Sequence, residues 1–160
     1  MTYQSSAHFA SNVVKGRIAE TLVEEMFKKS KYQVYRFGYE AILQNISQIN
    51  VDIRDSETKD KIRSIPDFIV VSPHGSVQLI EVKYSSDGKL NKDNLKKYLD
   101  FWSEARIVLV SSKKPHFQIS YIRNFMKDGK LYPLENDKFT TIDPNIIEKF
   151  SEVVQEYFKE

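Results

Sequence analysis

The spacing of apolar and polar positions changes several times along this chain, and each change marks an element. Val14, Ile18, Leu22 and Met26 recur every four residues, which predicts an amphipathic helix over 11–29 with Ser11 or Asn12 as its cap. Lys28, Lys29 and Lys31 crowd its end, where cations complement the helix dipole. Strict alternation over 32–39 predicts a strand, with Tyr32, Val34, Arg36 and Gly38 on one face. Residues 41–49 suggest a short helix, 50–54 a short strand and 55–60 a polar turn. Two apolar, β-branched runs, 65–72 and 76–84, flank Pro73-His74-Gly75 and predict a hairpin. A helix over 91–104 follows, with Leu95, Tyr98, Leu99 and Trp102 as its apolar side. The continuous apolar run 106–112 predicts a strand parallel to an earlier one, reached through that helical crossover. A further strand is expected over 116–125, and a small hairpin around Leu131 and Tyr132 after Asp128-Gly129. Asp143-Pro144 opens a last helix over 143–159, with Ile146, Ile147, Phe150, Val154, Tyr157 and Phe158 buried. The expected class is α/β: a mixed β-sheet flanked by helices, with a C-terminal helix.

The hairpin carries the candidate chemistry. Pro73 suits the first central position of a type I turn, and Gly75 can adopt the left-handed conformation that closes a three-residue loop. That turn pairs Ser72 with Ser76 and sets Asp67 opposite Glu81, with Lys83 on the same face because strand side chains alternate. The rest of that face is Ile65, Ile69, Val71, Val77 and Leu79; the other carries Phe68, Val70, Ile80 and Val82. Strands apolar on both sides are usually covered on both sides. Two carboxylates placed there repel each other and are costly to desolvate. A divalent cation resolves both problems, and hard oxygen ligands suit Mg²⁺ or Mn²⁺. Lys83 is placed to orient or deprotonate an attacking water or to stabilise charge on a phosphate. A plain cross-strand ion pair between Asp67 and Lys83 is the bland alternative. Glu20 lies on a flank of the first helix with Gly16, Val23 and Phe27; Gly16 would allow close backbone approach there, so that Glu20 could reach the same cation, and an ordinary surface glutamate like Glu24 or Glu25 is the alternative. Glu40, after the first strand, is a loop cap or a further contact.

Composition narrows the setting. The 160 residues are long enough for one domain with a real core, expected to span 1–160 with its centre over about 11–121 and an extension over 122–160. No apolar run is long enough to cross a membrane, and the polar start lacks the apolar centre of a secretory signal. With no cysteine, disulfides and thiolate metal sites are excluded, which fits a cytoplasmic protein. Net charge is only +2, but Lys83 to Lys114 holds eight basic against four acidic residues, and the chain beyond is net acidic. That asymmetry is compatible with nucleic acid meeting one face, and Lys89, Lys92, Lys96 and Lys97 could hold backbone phosphates. His8, His74 and His116 have no ligand-like spacing and are read as non-catalytic.

Pro66-Asp67 followed by Glu81-Val82-Lys83, behind a helix bearing Glu20, resembles the PD-(D/E)xK nucleases, the restriction-endonuclease-like superfamily. The predicted element order also looks like that superfamily's αβββαβ core. The resemblance implies that Asp67 and Glu81 hold Mg²⁺ with the carbonyl of Val82, that Glu20 is an additional ligand, and that Lys83 positions the attacking water. Members similar to RecB nucleases carry Gln-x-x-x-Tyr on the next helix; here Asn94 to Tyr98 departs at its first position, leaving Tyr98 as a nucleic-acid contact. Iron–sulfur versions need cysteines this chain lacks. Some junction resolvases share the early glycine-and-glutamate helix and usually act as dimers, so a homodimer is an expectation of the resemblance. The implied activity is Mg²⁺-dependent hydrolysis of phosphodiester bonds, with DNA the expected substrate. The alternatives are a nuclease-like module that binds nucleic acid or a protein without cutting, and an enzyme for another phosphate ester.

Overall fold

A computed structural model describes residues 3–38 and 56–159. The sheet has six strands in sequence order: β1 (Gln33–Arg36), β2 (Phe68–Val71), β3 (Val77–Ser85), β4 (Arg106–Ser111), β5 (Phe117–Tyr121) and β6 (Tyr132–Pro133). Among these described strands only β3 and β4 run parallel; every other neighbouring pair is antiparallel. The class is therefore α/β with a mixed sheet flanked by helices, as the sequence pattern predicts.

The β2–β3 hairpin has the expected register, with Phe68 opposite Ile80 and Val71 opposite Val77. Its loop closes as the residue types require: the Gly75 amide donates to the Ser72 carbonyl at 2.9 Å, the Ser72 amide to the Ser76 carbonyl at 2.8 Å, and Gly75 has φ +85°. Phe68, Val70, Ile80 and Val82 enter a core covered by helix α1 (Tyr3–Lys29) and by α5 (Pro144–Tyr157). On the opposite face Leu79 and Ile107 pack with Leu95, Tyr98, Ala105, Ile122 and Phe125. β4, buried at all six positions, lies between these two clusters.

Several elements depart from the sequence expectation. Helix α1 begins at Tyr3, eight residues before the predicted start at residue 11, and residues 6–14 are exposed and take no part in the core. Its buried side is Ala19, Leu22, Val23, Met26 and Phe27; Val14 is exposed, and Gly16 faces open space rather than a neighbouring backbone. The helix ends where Lys31 takes φ +66° and the Tyr32 amide returns to the Phe27 carbonyl. The polar turn expected over 55–60 is instead a helix from residue 56, α2 (Ser56–Arg63), with Glu57 in its first turn and Lys61 and Arg63 in its last, the arrangement its dipole favours. The helix predicted over 91–104 is a 3₁₀ turn (Lys92–Leu95) and one α-turn, α3 (Lys96–Leu99). Leu95 and Tyr98 are both buried three residues apart, a spacing that tight turn serves, and the chain must already enter β4 after Ala105. Likewise β5 stops at Tyr121, because Ile122 and Phe125 form the buried side of α4 (Ile122–Asp128). Gly129, φ +70°, caps that helix, and β6 pairs with β5 across it rather than through a hairpin. α5 is capped by the Asp143 side chain and buries Ile147 and Val154, but Tyr157, predicted inside, is exposed. The predicted short helix over 41–49, the strand over 50–54 and Glu40 lie outside the described residues.

A buried arginine that the sequence pattern does not single out ties the chain after β6 to the sheet. Arg106 makes a two-pronged pair with Asp137 at 2.5 and 2.7 Å and donates to Thr140 Oγ1 at 2.8 Å. Its guanidinium also lies over the rings of Tyr121 and Phe139. Asp137 is held below the usual carboxylate range: burial opposes its charge, but the bonds from Arg106 and Thr140 outweigh it.

Candidate active site

Asp67 sits at the entry to β2, while Glu81 and Lys83 sit on β3 with side chains toward the α3 face. The backbone fixes Asp67 from two sides. Its carbonyl accepts from the amides of Phe37 at 2.8 Å and Gly38 at 3.1 Å, and its Oδ2 accepts from the Val82 amide at 2.8 Å. Gly38 passes close: a Cβ there would lie 3.5 Å from Asp67 Oδ1. The sequence reading missed Phe37 and Gly38, since a backbone donor carries no side-chain signature.

Glu81 is buried, 2% exposed, and its two oxygens differ. Oε1 accepts from the Lys83 ammonium and from the Tyr98 hydroxyl, the latter at 2.5 Å; Oε2 is buried with no hydrogen-bond partner among the described residues. Leaving such an atom unmatched costs about 1–3 kcal/mol, more for a charged group. Tyr98 is thus not an exposed contact for nucleic acid: it is 2% exposed, and its hydroxyl serves Glu81. Burial and the charge of Glu81 push its phenol well above the ordinary range.

Charge couples the group. Burial, then the charges of Glu81 and Glu20, raise Asp67 from 3.8 to about 8, with the Val82 hydrogen bond and Lys83 acting weakly the other way. At neutral pH Asp67 therefore holds a proton in the absence of a compensating cation. For Lys83 burial disfavours the ammonium, but Glu81, Asp67 and Glu20 together outweigh it and raise its pKa. Lys83 is therefore a fixed positive charge at neutral pH rather than a proton acceptor.

Glu20 is close enough to act on both groups electrostatically, yet it also lies 3.9 Å from the Arg36 guanidinium. Arg36 also pairs with Glu24, which is held below its ordinary value; burial works against that, and the bonds from Lys28 and Arg36 prevail. Among the described residues no three His, Asp or Glu side chains converge tightly enough to enclose a metal ion by themselves.

The four lysines predicted to meet phosphates have different surroundings. Lys96 is paired with Asp93 at 2.7 Å, Lys92 lies beside Gly129, and Lys89 is exposed. Lys97 lies 5.0 Å from the centre of the Tyr98 ring, and its pKa is lowered by partial burial and by Lys83. His116 is buried, bridging the Ser111 carbonyl at 2.8 Å and Gln155 at 3.0 Å; His8 and His74 are exposed. No helix among the described residues is long and apolar enough to cross a membrane.

No protein-family model matches this chain, and neither a curated protein nor a solved structure matches it.

Proposed function

We propose that this protein is a metal-dependent nuclease of the restriction-endonuclease-like type, hydrolysing phosphodiester bonds of nucleic acid with Asp67, Glu81 and Lys83. The observation that carries the reading is the buried Oε2 of Glu81, with no hydrogen-bond partner among the described residues, beside an Asp67 carboxyl pushed up to about 8 by burial and by its acidic neighbours. Such a pair has unmet need for positive charge, and its all-oxygen donor set fits Mg²⁺ or Mn²⁺. Asp67, Glu81 and the Val82 carbonyl would hold the ion, with Glu20 adding negative charge. When bound, it would supply charge neutralisation at the scissile phosphate and a more acidic water.

The chain's own groups do the rest. Lys83, kept cationic by Glu81, stabilises charge developing on the phosphate and positions the attacking water. The Tyr98 hydroxyl and Lys83 together hold Glu81 Oε1, so Oε2 would be the oxygen offered to the ion. The Phe37, Gly38 and Val82 amides hold Asp67 in place without using its Oδ1. Attack in line on phosphorus expels the 3′ oxygen and leaves a 5′-phosphate.

The test is hydrolysis of single-stranded DNA, duplex DNA and RNA with Mg²⁺ or Mn²⁺, comparing the native chain with Asp67→Ala and Lys83→Ala. Loss of a charge-stabilising group at such a site is expected to cost about 10²–10³-fold in rate. Binding of nucleic acid with no metal-dependent cleavage of any of the three would overturn the enzyme and leave a binding module.

A further inference from the structure

A cavity of about 600 Å³ opens between α2 and the α3 turn, lined by Glu57, Asp60, Arg63, Lys97, Asp100 and Phe101, and its Lys97 is close enough to Glu81 and Asp67 to feel their charges. Tyr98 links it to the site. Lys97 Nζ lies 5.0 Å and Lys83 Nζ 5.9 Å from the centre of the Tyr98 ring, whose hydroxyl is on Glu81. Its volume falls within the roughly 300–1,000 Å³ of ordinary small-molecule sites.

The lining is informative because no simple ligand satisfies it. Three carboxylates would repel an isolated phosphate, and an isolated cation would leave Arg63 and Lys97 without a role. Phe101, half-buried with Lys61 Nζ 5.9 Å from its ring centre, adds an aromatic surface. A nucleotide meets all three demands. Its phosphate suits Arg63 and Lys97, its base can stack on Phe101, and the exocyclic amino group of adenine, cytosine or guanine can donate to a carboxylate. A base inside a duplex is held in the stack and cannot enter such a cavity, so the occupant must be unpaired.

We propose that this cavity binds an unpaired nucleotide next to the scissile phosphate, making single-stranded or locally opened nucleic acid the substrate class. The adjacency to a scissile bond rests on the nuclease reading; the binding does not. The test uses single-stranded oligonucleotides carrying 2-aminopurine, in EDTA, with the blunt duplex of the same sequence as comparison. The expected result is fluorescence quenching on binding and at least about tenfold tighter binding of the single strand. Phe101→Ala is expected to remove the quench and weaken binding about tenfold. Phe101→Leu, which keeps the bulk without the ring, gives the same reading if the alanine variant fails to fold. Equal affinity for the duplex, or quenching unchanged in either folded variant, would overturn the proposal. Cleavage by the native chain with Mg²⁺ but no quenching sinks the nucleotide pocket and spares the nuclease. Ring-dependent quenching with no cleavage of any substrate does the reverse.

Discussion

Replacing Asp67 by asparagine removes a charge that the folded protein accommodates poorly, while keeping an oxygen for the Val82 amide. The native carboxyl holds its proton up to about pH 8 against an ordinary 3.8. Folding is therefore unpenalised below about pH 4, and the penalty grows as pH rises toward 8, because the unfolded chain ionises first. Each unit corresponds to about 1.36 kcal/mol, so the ceiling is about 5–6 kcal/mol. Water penetration and a higher effective dielectric reduce this to about 2–4 kcal/mol. Urea unfolding in EDTA at pH 4, 6, 8 and 9 measures it. The native chain and the Asp67→Asn variant are expected to be nearly equal at pH 4, with the variant progressively more stable up to pH 8 and the gap constant above. Added Mg²⁺ at pH 8 is expected to stabilise only the native chain, by about 2.7 kcal/mol at one hundred times its dissociation constant. A gap independent of pH, or a variant less stable than the native chain at pH 9, refutes the claim that Asp67 is held in a site short of positive charge.

Three further outcomes are expected. Tyr98→Phe removes one of two donors from buried Glu81 Oε1 and should lower unfolding free energy by about 1–3 kcal/mol; an unchanged urea midpoint would contradict the hydrogen bond. Arg106→Lys cannot reproduce the two-pronged contact with Asp137 and should cost about 3 kcal/mol, read by urea unfolding, without altering any cleavage rate at 25 °C. Lys31→Gly relieves a left-handed residue at φ +66°, worth about 1–2 kcal/mol, against about 0.5–1 kcal/mol of glycine entropy. The melting temperature should rise by about 1–3 °C.

Local chemistry made the central hairpin legible. Pro73, the left-handed Gly75 and two apolar, β-branched arms determined the register, and the register places Asp67 at the entry to one strand and Glu81 on the next, with Lys83 on the face of Glu81. The strand at 106–111, with its apolar run from Ile107 to Val110, and a capped terminal helix at Asp143-Pro144 were legible for the same reason: period and turn residues are local properties. The extent of α1 was not, because residues 6–14 form helix without a buried face for periodicity to report. Nor were the shortening of the 91–104 helix and the end of β5, where buried pairs three residues apart fit helical and turn spacing equally well. What only the tertiary structure decided is the electrostatic character of the site. Burial depth, the Tyr98 hydroxyl on one oxygen of Glu81, the amides behind Asp67 and the approach of Glu20 to Arg36 all depend on which distant elements meet. Residue type placed the charges; the surroundings determined which of them ionise, because desolvation depends on neighbours that no local pattern specifies.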